Sequence, residues 1–183
     1  MRFILMGGED VKKRNCINTH KKYMPGKKIL IIPWSSSDIN KTGIYRNIMK
    51  EYFTYCGAKE VKFLERRDKE KEIKQKIKNS QIIYLPGGYT DDLIRNVKRR
   101  KYLPKILENY NGIISGNSAG ANAIAEKYVN YAGQKYSIKK GLGLLKTTII
   151  VHYDETKEKK IREMELRRKI KIKRISEKDA LII

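Results

Sequence analysis

The sequence is poor in the residues that staple small proteins or cage metals. Its 183 residues include two cysteines, Cys16 and Cys56, and two histidines, His20 and His152. The cysteines are distant and form no C-x-x-C pair, which excludes a disulfide scaffold and a structural zinc site and fits a reducing cytosol. Two separated histidines without an H-E-x-x-H pattern leave no ligand set for metal catalysis, so no metal and no cofactor is expected. Long apolar runs are also missing. The longest, 29–34, contains Pro33 and is far short of the roughly 20 residues of a bilayer crossing. The opening Met1-Arg2-Phe3-Ile4-Leu5-Met6 meets Gly7-Gly8 and lacks a signal peptide's apolar region. These absences lead to the expectation of a cytoplasmic protein without a membrane partner.

Acidic residues are scarce beside basic ones, 20 against 42, for a formal charge of +22. Such an excess suits an acidic partner such as nucleic acid. It is spread along the whole chain as Lys beside abundant Ile, Asn and Tyr, without a nucleic-acid module, so no specific nucleic-acid partner is expected. Its densest stretch, 157–174, sets ten basic residues against Glu158, Glu163 and Glu165 and reads as a solvated helix face.

The apolar residues present are organised. Runs at 3–6, 29–32, 61–64, 82–85, 112–114 and 148–151 are short, rich in Ile and bounded by Gly, Pro or Ser, the pattern of buried parallel strands. Between them lie helix candidates at 42–55, 69–79, 91–109 with a break at Pro104, 119–127 and 155–170. The alternation predicts an open α/β fold, a mostly parallel sheet with helices on both faces, in a single domain over 1–183. The segment 128–146 breaks the rhythm and reads as a hairpin or loop excursion. Its Gly141-Leu142-Gly143 lacks the third glycine and the preceding strand of a nucleotide fingerprint.

Ligands of such sheets gather beyond the carboxyl ends of the strands. There Gly116-Asn117-Ser118-Ala119-Gly120 forms G-x-S-x-G between a strand and a helix of small residues, the context of a nucleophile elbow. The turn lifts the Ser118 hydroxyl above the sheet, and the helix start adds positive potential. Serine needs a base, usually His. His152 follows the 148–151 run and stands at a strand end, whereas His20 lies in a basic stretch with no strand before it. A carboxylate must hold the imidazole. Asp154 and Glu155 open a helix, where its dipole alone explains them; Glu177 follows the 171–175 run at another strand end. The residues themselves leave this choice open. After the strand 82–85, Pro86-Gly87-Gly88 lets backbone approach a ligand, and the N–H groups of Gly88 and Ala119 are the candidate oxyanion donors.

Taken in order, these stretches resemble the peptidase S51 family, the dipeptidase E and cyanophycinase group. Its flavodoxin-like core is shared with class I glutamine amidotransferases. The resemblance is carried by Ile4-Leu5-Met6-Gly7-Gly8, Ile31-Ile32-Pro33-Trp34-Ser35, Pro86-Gly87-Gly88, Gly116-Asn117-Ser118-Ala119-Gly120-Ala121 and His152, nearly the whole chain. It implies a serine peptidase that cuts short peptides beside an N-terminal aspartate, with Ser118 as nucleophile and His152 as base. Ser176-Glu177-Lys178-Asp179-Ala180-Leu181 resembles the family's carboxylate segment and makes Glu177 the third member. Tyr89, Thr90 and Asn117 become the candidate substrate contacts, Tyr89 standing where relatives usually carry Asn. Arg95 and Lys135 are candidate carboxylate readers by charge type alone. The expected partner is a small peptide, and a homodimer is compatible with the fold. The alternatives are a weakly active or non-catalytic member binding an acidic partner, and a serine hydrolase for another acyl substrate.

Overall fold

The computed structural model describes residues 2–36, 39–132 and 135–183. Six strands form the main sheet in the order β10-β1-β5-β4-β2-β3: β1 (Arg2–Met6), β2 (Lys28–Ile31), β3 (Glu60–Phe63), β4 (Ile82–Leu85), β5 (Ile113–Asn117) and β10 (Ala180–Ile182). All neighbours are parallel except β10, which pairs antiparallel with β1. Parallel strands are covered on both faces, and the side chains divide with the two-residue period of a strand. Leu30, Ile32, Ile83 and Leu85 enter one core with α3 (Glu70–Lys78), α4 (Thr90–Lys98), α5 (Leu103–Glu108) and α6 (Ala119–Ile124). Ile29, Ile31, Ile82 and Tyr84 enter the other with α1 (Ile17–Tyr23) and α2 (Ile39–Tyr55). The expected α/β architecture is thus the observed one.

The chain departs from the expected elements in several places: α1 is not among the expected helices, the strand at 148–151 falls in a second sheet, and the helix expected over 155–170 is a 3₁₀ turn at Glu155–Lys157 followed by a helix at Glu158–Arg168. The predicted helix 91–109 is two helices, with Pro104 in the first turn of the second, where its missing N–H costs nothing. The helix expected over 119–127 ends at Ile124, and the chain passes directly into β6 (Ala125–Ala132). The excursion at 128–146 is a hairpin of β6 and β7 (Lys135–Lys140), but it also forms part of a second sheet. Residues 133 and 134 of that segment lie outside the described residues.

This second sheet has the order β7-β6-β8-β9, with β8 (Leu145–Tyr153) and β9 (Ile172–Ser176) supplied by the later chain. Alternation along β8 joins two cores. Ile149 and Val151 pack into the core around α6, and Ile150 packs outward with Ile161 of α7 (Glu158–Arg168) and Ile172 of β9. Among the described residues, no helix is long and apolar enough to cross a membrane.

Candidate active site

The carboxyl ends of β1, β4, β5, β8 and β9 converge on one side of the molecule. Ser118 follows β5 with φ 48° and ψ −105°, a sparsely populated conformation for a residue with a side chain. Its N–H donates to the Met6 carbonyl at 3.0 Å, so the end of β1 holds the turn in this shape. The Ser118 hydroxyl lies 2.7 Å from His152 Nε2.

His152 is delivered by an irregularity. The pairing of β8 with β9 shifts register between Ile150 and Tyr153, and His152 within that break has φ +51°. A bulge of this kind re-aims a side chain. The freed His152 N–H donates to the Gly7 carbonyl at 3.0 Å, which stitches the second sheet to the main one. Gly8 then makes room for the ring. A Cβ on Gly8 would fall 2.5 Å from both Cε1 and Nδ1 of His152 and 3.2 Å from Glu177 Cγ.

Glu177, in the turn between β9 and β10, places Oε1 3.2 Å from His152 Nδ1. The geometry suits the tautomer in which Nδ1–H donates to Glu177 and Nε2 accepts the Ser118 proton. The Glu177 carbonyl is anchored by the Asn15 amide at 3.3 Å and the Cys16 thiol at 3.8 Å. Burial and the charges of Glu9 and Asp179 push that thiol up to about 12, so it stays a protonated donor. Asp154 points elsewhere: it caps the 3₁₀ turn (Glu155–Lys157) through the Thr156 N–H at 3.0 Å and pairs with Lys157 at 2.5 Å. Glu155 is exposed in the same turn.

The remaining candidates divide. Gly87 lies beside the elbow, its hypothetical Cβ 3.7 Å from Ser118 Cβ, and Gly88 follows with φ +133°, open mainly to glycine. Ala119 is the first residue of α6, where an N–H has no partner within the helix. Tyr89 lines the cavity above Ser118, whereas Thr90 does not line it and instead accepts a long 3.4 Å bond from Asn122. Asn117 also lines the cavity, but its amide is occupied: Oδ1 accepts the Glu9 N–H at 2.6 Å and Nδ2 donates to the Glu9 carbonyl at 2.9 Å. Arg95 pairs with Asp92 and Lys135 sits on β7, and neither lines the cavity. Among the described residues, the lysines that line it are Lys12 and Lys13. The cavity measures about 660 Å³, the size of a small-molecule site. Among the described residues, no cluster of His, Cys, Asp and Glu is arranged to hold a metal ion.

Sequence reading missed the supports beneath these groups. Glu9 is a buried carboxylate that accepts from Tyr52 at 2.5 Å, His20 at 2.8 Å and Tyr84 at 3.3 Å. Burial, followed by the charge of Glu9, raises both tyrosines above their usual range and keeps them donors. Lys157 is likewise buried, and its ammonium donates to the His152 carbonyl. A Glu and a His separated by eleven residues, in a segment without strand periodicity, carry no sequence signal of such a bond.

A serine on a strained strand-to-helix turn, facing a histidine and a carboxylate over an open parallel sheet, has the layout of a serine hydrolase. Comparison with known proteins narrows the class. Residues 3–183 match the profile of peptidase family S51, and the chain belongs to that family, which places it among the peptidases. Its fold is similar to that of a protein assigned as peptidase E from Listeria monocytogenes. That pair has a TM-score of 0.70 and 22% identity, covering 100% of this chain and 93% of the other. It is also similar to a peptidase from an acI-B1 actinobacterium, with a TM-score of 0.62 and 22% identity, covering 100% of this chain and 82% of the other. No curated protein matches the chain by sequence.

Proposed function

We propose that this chain is a serine peptidase for short peptides with an N-terminal aspartate, working through Ser118, His152 and Glu177. The observation that carries the proposal is the unbroken relay of 2.7 Å and 3.2 Å contacts from the serine hydroxyl through the imidazole to the carboxylate. Ser118 Oγ attacks the peptide carbonyl as its proton passes to His152 Nε2. The N–H groups of Gly88 and Ala119 receive the oxyanion. The C–N bond then breaks, and His152 gives its proton to the leaving amine. Water, deprotonated by His152, cleaves the acyl-enzyme and restores Ser118. Glu177 orients the imidazole and stabilises its charged form. The acidic preference is supported by the ammonium groups of Lys12 and Lys13, which line the cavity.

The test is hydrolysis of Asp-Leu, Glu-Leu, Ala-Leu and Leu-Leu by the wild type and Ser118→Ala. Cleavage confined to Asp-Leu, falling by about 10⁴-fold or more in the variant, is the expected result. Unchanged cleavage in Ser118→Ala would overturn the nucleophile. Labelling of Ser118 by a fluorophosphonate without cleavage of any dipeptide would keep the nucleophile and move the substrate to another acyl class. Neither cleavage nor labelling would favour a non-catalytic protein.

A further inference from the structure

The lining of the cavity above Ser118 combines polar and apolar side chains, and the apolar ones serve no step of the proposed reaction. Along α2 an apolar stripe descends through Met49, Tyr52 and Phe53, all buried in the core against the main sheet. Helical spacing continues that stripe upward: Ile44 and Ile48 are four residues apart, as are Tyr45 and Met49, so each pair shares a face. At this end the sheet no longer covers it. Ile44 is 69% exposed and Tyr45 52%, and all four residues border the cavity that holds Ser118 and His152. Tyr89, 71% exposed, adds an aromatic ring next to Gly88 on the same cavity.

Large apolar side chains left open along a cavity mark a binding surface, because covering them releases water that solvent exposure keeps ordered. Lys12 and Lys13 add charge to the same lining, which suits the acidic residue of the substrate and leaves the apolar side chains for the other one. We infer that Ile44, Tyr45, Ile48 and Met49, with Tyr89, form an apolar subsite for a bulky aliphatic or aromatic side chain on the residue released when the peptide bond is cut. This inference rests on the peptidase reading above and adds the second half of the substrate: an acidic residue on the acyl side, a large apolar one on the leaving side.

The experiment compares kcat/KM for Asp-Gly, Asp-Ala, Asp-Leu and Asp-Phe in the wild type and in the double variant Ile44→Ser, Tyr45→Ser. Both positions are exposed, so the fold is preserved. The wild type is expected to prefer Leu and Phe over Gly by about 10–100-fold, the discrimination a hydrophobic pocket supplies. In the double variant that ratio should fall towards one, with Asp-Gly cleavage and fluorophosphonate labelling of Ser118 unchanged. Equal rates across the four dipeptides, or a preference that survives the double variant, overturns the subsite and leaves the peptidase reading intact. Where Ser118 is labelled but no dipeptide is cleaved, the comparison moves to labelling rates of an octyl against an ethyl fluorophosphonate, and equal rates overturn the subsite. Failure of both cleavage and labelling removes the peptidase reading, and the subsite falls with it.

Discussion

The two halves of the site are built to different standards of enclosure. Ser118 hangs from β5, a central strand flanked by β1 and β4 and buried along most of its length. His152 comes from the second sheet and Glu177 from the turn that leads out of it, and their side chains are 46% and 68% exposed. The position of Ser118 is therefore fixed by close packing, in which small displacements are costly. His152 and Glu177 are held by a few directional bonds instead: His152 N–H to Gly7, the Lys157 ammonium to the His152 carbonyl, and Asn15 and Cys16 to the Glu177 carbonyl. The fold thus sets a buried elbow in its main sheet against more exposed groups held near the strand ends of a second one.

The largest expected effect beyond loss of Ser118 itself lies where the halves meet. Gly8→Ala drives a methyl group into the imidazole, which can swing away into solvent without disturbing the backbone. Peptide hydrolysis should fall by about 100-fold or more, as an ångström of misplacement suffices for that, with the thermal midpoint nearly unchanged. A variant as active as the wild type would show that the base half tolerates displacement.

Glu177→Gln probes the exposed acid. A carboxylate in contact with water acts through a high dielectric, so the loss should be about 10–100-fold in kcat, well below the roughly 10⁴-fold cost of neutralising a buried triad acid. A 10⁴-fold loss would show that bound substrate encloses this half as tightly as the other.

Lys157→Met tests the support beneath the base. It leaves the His152 carbonyl without its donor, at a cost of about 1–3 kcal/mol in unfolding free energy, and should lower kcat while KM holds. Equal stability in denaturant titration would break the assignment.

The smallest effect concerns α7, on the outer face of the second sheet. Bonds from Arg174 and then Arg162 hold the Glu158 carboxyl down to about 2, and Glu165 is lowered chiefly by Arg174. A depressed carboxylate contributes stability that is complete above its ordinary value near 4.5 and is lost as pH falls towards the folded value. Arg174→Met should therefore lower the thermal midpoint by a few degrees at pH 7, with the gap to wild type closing between about pH 4.5 and 2. A gap independent of pH would assign the effect to packing.

What could be read from residues alone follows the same division. The strands of the main sheet announce themselves because parallel strands are apolar on both faces, and the elbow because G-x-S-x-G needs only local chain to form. The hairpin and the runs 148–151 and 171–175 were legible one by one, but not their assembly into a second sheet, since β6, β8 and β9 come from separated segments whose pairing leaves no local trace. The helix α1 was missed for a related reason: among its residues only His20 is buried, so it has no apolar period.

The sequence by itself determined the open α/β architecture, the serine on its turn, the glycines that permit close approach, and the histidine as the available base. Each depends on backbone sterics or on periodicity within a few residues. Tertiary structure alone decided that Glu177 rather than Asp154 faces His152, that Asn117 is occupied by Glu9, and that Lys12 and Lys13 rather than Arg95 and Lys135 line the cavity. Those choices depend on distances across 25 to 108 positions of sequence, which only the folded packing of two sheets brings to hydrogen-bond length.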